Sequence, residues 1–251
     1  MMDIPDIFCV IIPTYNNAGS ILGVIRDVEK YCRSIIVVCD GATDGTSDLL
    51  EGLGKEIMLI SYPENRGKGH ALALGFRKAA EEGFRYAVTM DSDGQHFPGD
   101  LPLFADAAAM HPDSIIVGSR SFNVSNMPSG NTFANKFSNF WFTVQTGLKI
   151  PDTQTGFRLY PLSRIAGMHL FTSRYETELE VLVRSAWKGT DIVSVPVRVY
   201  YPEKGKRVSF FRPGRDFIRI SFLNTFFCFA AIFYGYPSKL FRMTNRNSAA
   251  R

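Results

Sequence analysis

The sequence predicts an α/β protein: a mostly parallel sheet with helices on both faces over residues 1–212, followed by a helical tail over residues 213–251. Two observations predict it. Short apolar runs rich in Val and Ile alternate with segments whose apolar residues recur at helical spacing, the rhythm of strands joined by helical crossovers. A chain of 251 residues with 45% hydrophobic content also suffices for one sizeable core.

The elements follow in order. Residues 8–13 form a β-branched run closed by proline, and Ile21, Leu22, Ile25 and Val28 then recur as one helical face. Residues 34–39 read as a buried strand, 46–53 as a helix, 56–61 as a strand, and 69–82 as an alanine-rich helix stopped by Gly83. A strand over 86–90, a helix over about 100–110 and a strand over 114–118 continue the alternation. After Arg120 the rhythm breaks: residues 121–150 are rich in Asn, Ser, Thr and Phe, which predicts a partner-facing segment with a helix near 132–146. Residues 175–188 resume a helix, and Ile192, Val193, Val195, Val197 and Val199 mark a strand over 191–201.

The net charge of +4 comes from 28 basic and 24 acidic residues mixed over most of the chain, so a general nucleic-acid binder is not expected. The exception is Lys204, Lys206, Arg207, Arg212, Arg215 and Arg219, which outnumber Glu203 and Asp216 and should attract phosphate or anionic lipid. Cys9, Cys32, Cys39 and Cys228 lack metal-ligand spacing and are expected as free thiols in a reducing compartment. The start, Met-Met-Asp-Ile-Pro-Asp, has no basic segment leading into an apolar stretch, so a secretory leader is not expected.

In an open parallel sheet the ligand lies beyond the carboxyl ends of the strands. There the sequence places Pro13, Tyr15 and Asn17, then Asp40, then Asp91, Ser92, Asp93, Gln95 and His96. Asp91 and Asp93, one residue apart at a strand end, can hold a hard divalent cation that neutralises a diphosphate leaving group; the same tripeptide also occurs as an acidic turn without a ligand. The segment Asn65-Arg66-Gly67-Lys68-Gly69-His70 opens a helix with two glycines and two cations, suited to a phosphate or a nucleotide edge. It is neither a Walker loop nor the dinucleotide fingerprint, which disfavours an oxidoreductase.

Taken in order, IIPTYNN, CDGATDGT, NRGKGHA, MDSDGQH and DTQTGFR resemble the family 2 glycosyltransferases of GT-A fold. Within them they resemble the dolichyl-phosphate mannose synthase-like, polyprenyl-phosphate branch, over about residues 7–212. The resemblance implies a GT-A, Rossmann-like sheet, a UDP- or GDP-linked sugar donor, Mg2+ or Mn2+, and transfer that inverts the anomeric centre. It implies that Pro13, Tyr15 and Asp40 line the nucleotide; Asn17 and Ser92 at the strand ends and Lys68 in the glycine-rich turn are also expected on the donor side. Asp91, Asp93 and Gln95 would surround the metal, Arg120 would lie near the reacting phosphates, and residues 152–158 would shape the acceptor side. Two positions depart from the family's pattern: Asn17 replaces a carboxylate and Cys39 an Asp, which leaves the base and ribose contacts open.

A lipid monophosphate acceptor is already ionised near neutral pH and needs no protein base, so Arg120, Arg158, Lys206 and Arg207 would orient the phosphates. A hydroxyl acceptor on a glycolipid would need a base, for which Asp152 and Glu178 are the candidates. A non-catalytic nucleotide-binding scaffold is the remaining alternative. In the tail, Gly235 and Pro237 are expected to end a helix of about 15 residues, roughly 22 Å, too short to span a bilayer core of roughly 30 Å. The tail is therefore expected to lie in the interface, holding the enzyme peripherally on the cytoplasmic face. The oligomeric state is left open.

Overall fold

The computed structural model describes residues 4–120, 129–201 and 213–241. Strands β1 (Phe8–Thr14), β2 (Ile35–Asp40), β3 (Met58–Tyr62), β4 (Tyr86–Thr89), β5 (Ile115–Arg120), β6 (Arg158–Pro161) and β7 (Ile192–Val197) form one seven-stranded sheet of order β3-β2-β1-β4-β6-β5-β7. All run in one direction except β6, which lies antiparallel between β4 and β5. The predicted strands and helices stand where the periodicity put them. Strand β6 was not anticipated, because four residues beginning with an arginine carry too little alternation to register.

The helices are α1 (Ile21–Glu29), α2 (Thr46–Glu51), α3 (Lys68–Glu81), α4 (Leu101–Met110), α5 (Ser129–Thr146), α6 (Leu162–Ile165), α7 (Thr177–Trp187) and α8 (Pro213–Ala230). Because alternate strand residues face opposite sides, Val10, Ile12 and Val37 pack with α1, α2 and α4, whereas Ile11, Ile36 and Val38 pack with α3 and α7. Cys9, Cys32 and Cys39 are buried free thiols and Cys228 a partly buried one, as expected.

The tail corrects one expectation. Gly235 and Pro237 do not end its helix: a π-helical turn over Ala231–Gly235 absorbs the irregularity and the helix runs on to Phe241. The segment Ile218–Phe241, 24 residues long, is long and apolar enough to cross a membrane. The length argument against spanning therefore fails. Lys204, Lys206, Arg207, Phe210, Arg212, Arg242 and Arg246, and the side chain of Arg215, lie outside the described residues.

Candidate active site

Strands β1, β2 and β4 deliver Thr14, Asp40 and Thr89 to one edge of the sheet, and the loops that follow are tied to one another. Asn17 donates through Nδ2 to Ser92 Oγ at 2.8 Å, and Ser20 Oγ donates to the Ser92 carbonyl at 2.7 Å. Ser92, expected on the donor side, is thus a buried tether between two loops. Pro13 is buried within β1, Tyr15 half-buried beyond it.

Asp40 is 3% exposed and accepts the backbone N–H groups of Arg66 at 2.6 Å and Gly67 at 2.8 Å. It therefore holds the glycine-rich turn, whatever else it touches. Gly67 has φ +99°, and a Cβ there would lie 2.5 Å from the Ser173 carbonyl oxygen; at Gly69 one would lie 1.8 Å from Thr177 Oγ1. The two glycines let the start of α3 press against the start of α7.

That contact assembles a charge cluster. Lys68 Nζ lies 2.6 Å from Asp91 Oδ1 and 3.0 Å from Glu178 Oε2. Burial pulls the Lys68 pKa down, but the two carboxylates outweigh it and hold the ammonium firmly charged. Burial likewise favours neutral Asp91, and Lys68 and His96 overcome it, holding that carboxyl well below the usual range. Asp93 goes the other way, pushed above the ordinary carboxylate value by burial and by the charge of Asp91. Glu178 Oε1 and His96 Nδ1 are buried without a hydrogen-bond partner, and His96 Nε2 stands 3.7 Å from Asp91 Oδ2. Gln95 is buried, its N–H donating to Asp93 Oδ1 at 3.0 Å and its carbonyl accepting from Tyr200 at 2.8 Å.

Beyond β5, Asp152 is fully buried and grips Arg120 in a bidentate pair, Nε to Oδ2 at 2.6 Å and Nη2 to Oδ1 at 3.0 Å. Its Oδ1 also accepts from Asn135 Nδ2 at 2.6 Å and from the Gln154 N–H at 3.0 Å. Both carboxylate oxygens of Asp152 are thus engaged, which holds the Arg120 guanidinium in place. Burial alone would lower the Arg120 pKa, but the Asp152 pair outweighs it, with smaller contributions from Tyr201 and Asp91, and the guanidinium is held above its ordinary value.

Arg158 opens β6. It is fully buried, donating to the carbonyls of Thr155 at 2.7 Å, Glu178 at 2.7 Å and Thr153 at 2.9 Å, and to Tyr160 Oη at 3.3 Å. It knits the 152–158 loop to α7. Gly156 above it packs on Asp91, where a Cβ would stand 2.6 Å from Oδ2. Sequence reading missed the grip of α5 on this loop: Asn139 Nδ2 donates to the Pro151 carbonyl at 2.7 Å, and Thr153 Oγ1 to Ser138 Oγ at 2.7 Å. The spacing of Asn135, Ser138 and Asn139 along one helical stripe was the available signal.

The donor chemistry suits a hard dication. Asp91 and Asp93 are like charges forced together, the strain a divalent ion relieves, and their hard oxygens match Mg2+ or Mn2+. Among the described residues no three His, Cys, Asp or Glu side chains form a ready-made cluster.

A parallel-sheet edge that gathers paired carboxylates, a half-buried lysine and a clamped arginine is where an α/β enzyme places its ligand. The chain belongs to glycosyl transferase family 2, whose family model matches residues 9–163, and it is a glycosyltransferase. It is 30% identical to the UDP-N-acetylglucosamine–dolichyl-phosphate N-acetylglucosaminyltransferase of Methanococcus voltae, over 77% of this chain and 86% of that one. It is 28% identical to the undecaprenyl-phosphate mannosyltransferase of Micrococcus luteus, over 78% and 84% of the two chains. Among solved structures it shares its fold with glucosyl-3-phosphoglycerate synthase of Mycobacterium tuberculosis in complex with Mn2+, UDP-glucose and phosphoglyceric acid. The TM-score is 0.64 and the identity 17%, over 89% of this chain and 79% of that one.

Proposed function

We propose that this glycosyltransferase moves a sugar from a UDP- or GDP-linked donor to a polyprenyl phosphate at a membrane surface, with a divalent metal and with inversion. The observation that carries it is the Asp91 and Asp93 turn with Lys68 paired to Asp91, at a sheet edge that also carries the Asp152-clamped Arg120, on a chain whose relatives are lipid-phosphate sugar transferases. Asp91 and Asp93 would hold Mg2+ or Mn2+, with His96 beside them, and the ion would neutralise the departing diphosphate. An acceptor phosphate oxygen forms the new bond to the anomeric carbon as the bond to the donor's diphosphate breaks, so the configuration inverts and the nucleoside diphosphate leaves. The acceptor is already anionic, so Arg120 serves by orienting and neutralising it, and Asp152 keeps that guanidinium in place. Glu178 holds Lys68 at the donor side.

Membrane contact is assigned to α8, lying in the interface. Phe222, Phe226, Phe229 and Phe233 are exposed, while Phe227 and Ala231 are buried on the catalytic unit. Contacts with that unit run from Asn224, bonded to Gln145, to Lys239, which donates to the Thr146 carbonyl. A helix docked side-on over roughly 22 Å lies along a bilayer more readily than across it. The cytoplasmic face is the reading consistent with free thiols.

The test incubates the full chain with a panel of UDP- and GDP-sugars, polyprenyl phosphate and Mg2+ or Mn2+. The expected product is an acid-labile sugar phosphate ester of inverted configuration. Transfer only to glycolipid hydroxyls would replace this reading.

A further inference from the structure

Glu180 is a fully buried carboxylate on α7 that the reaction proposed above does not use. Four donors converge on it. Oε2 accepts the Thr172 N–H at 2.9 Å and the Thr172 hydroxyl at 2.6 Å, and the Phe171 N–H lies 2.9 Å from Oε1 and 3.1 Å from Oε2. Oε1 also pairs with Arg184 Nη1 at 2.5 Å, one turn further along the helix. Arg184 in turn donates to the His169 carbonyl and lies over the Phe171 ring, 4.5 Å from its centroid. Residues 169–172 are thereby strapped onto α7. Because every partner of Glu180 here is a donor, the position calls for an acceptor-only group, and an amide would turn N–H against N–H.

The strapped segment serves a second helix. Helix α3 has Gly67 at its N-cap and no side-chain cap, yet the His70 N–H, one of the donors a first turn leaves free, meets the Ser173 carbonyl at 3.0 Å. A peptide carbonyl does there what a capping side chain does in other helices. The same carbonyl is the one Gly67 packs against, and Thr172 Oγ1 lies 2.9 Å from Thr177 Oγ1, the atom pressed on Gly69. Glu178 and Glu180 leave α7 about 200° apart, but both act on the start of α3. Glu178 meets the Lys68 ammonium, and Glu180 holds the segment that caps the turn from which Lys68 springs.

We propose, on the donor-side role given to Lys68 above, that Glu180 is a positioning residue: by fixing residues 171–173 it sets the start of α3, so that α7 anchors Lys68 at both ends. A lysine side chain is a flexible stem, so anchoring its tip alone leaves the turn beneath it free to drift from a bound diphosphate. The second anchor removes that freedom, as precise placement of a charged group requires.

Glu180→Gln keeps the volume and removes the charge. With Mn2+ present, calorimetry with UDP and with GDP should show nucleotide binding weakened by roughly tenfold per folded molecule. In a Lys68→Met background the same substitution should cost little more, because its effect runs through Lys68. Amide exchange at His70, followed by NMR, should quicken in Glu180→Gln. Thr172→Val, which removes one donor and leaves the carboxylate, should move both readouts the same way by a smaller factor and replaces Glu180→Gln if that variant does not fold. Fully additive losses in the double variant would reduce Glu180 to a fold-stabilising residue and overturn the role, as would wild-type binding or unchanged exchange at His70. A wild type that binds neither nucleotide refutes the donor reading itself, and exchange at His70 then decides the seating of α3 by itself.

Discussion

Lys68 and Asp91 form an ion pair of 2.6 Å in which a protein ammonium occupies one oxygen of the carboxylate best placed to meet a dication. On the proposed metal role of Asp91, two cations would compete for it. In Lys68→Met, Mn2+ alone should raise the melting temperature more than it does in the wild type, because the ion no longer displaces an ammonium. Turnover should fall by about a hundredfold. Equal metal-induced shifts in the two proteins would show that Lys68 and the ion do not share the site.

Asp93 carries the second carboxylate, with its neutral form favoured by burial and by Asp91. Asp93→Asn should retain the fold, lose that like-charge repulsion, and lose metal-dependent transfer. The measurement is turnover against Mn2+ concentration; near-wild-type activity at any concentration excludes the residue as a ligand. Chelation of the wild type with EDTA should produce the same loss, reversed by Mg2+ or Mn2+.

Asp152 supports Arg120 through a bidentate pair, so Asp152→Asn should lower kcat by about a hundredfold with little change in the KM for the donor. The shape of the pH–rate profile decides its role. A positioning group leaves the profile unchanged, whereas loss of an acidic limb would reinstate Asp152 as the base.

Arg158 should behave as a stability residue. Arg158→Met strands three carbonyl acceptors in the core, and a loss of about 3–5 kcal/mol is expected, seen as a melting temperature lowered by roughly 10 °C or more. A variant that melts like the wild type but has lost turnover would place Arg158 on the substrate.

At Asp44, slight burial favours the neutral form, but Thr46 Oγ1 and the N–H groups of Ala18 and Thr46 donate to the carboxylate and hold its pKa below the ordinary value. A lowered folded pKa contributes stability above the unfolded value of about 3.9, and that stability is lost as pH falls through the folded value. Asp44→Asn should therefore be slightly less stable than the wild type near neutrality, by well under about 1 kcal/mol because the exposed carboxylate is screened by solvent. The gap should close below about pH 4. Urea melts across that range check it.

What the sequence made legible followed from periodicity and from strand ends. Asp40, Asp91 and Asp93 were readable as one edge because each follows a buried run, and the parallel register puts them together. The three carbonyls that Arg158 meets were not legible, because its cationic type says nothing of them. The contact of Gly67 and Gly69 with Ser173 and Thr177 joins segments about 100 residues apart, which no local pattern encodes. The helix through Gly235 and Pro237 escaped for another reason: Gly235 packs where a Cβ would sit 2.5 Å from Trp187 Nε1, so tertiary contact overrides helix-breaking composition.

The place of β6 bears on how the chain emerges from the ribosome. Strands β4 and β5 are made first and must leave a slot between them until residues 158–161 arrive and pair with both. Until then the nascent sheet has two facing open edges, each a template for another chain. A synthesis pause or a protease cut just ahead of Arg158 would release a fragment prone to aggregate, whereas the same interruption after Pro161 would leave the interior of the sheet closed and only the berth of β7 vacant.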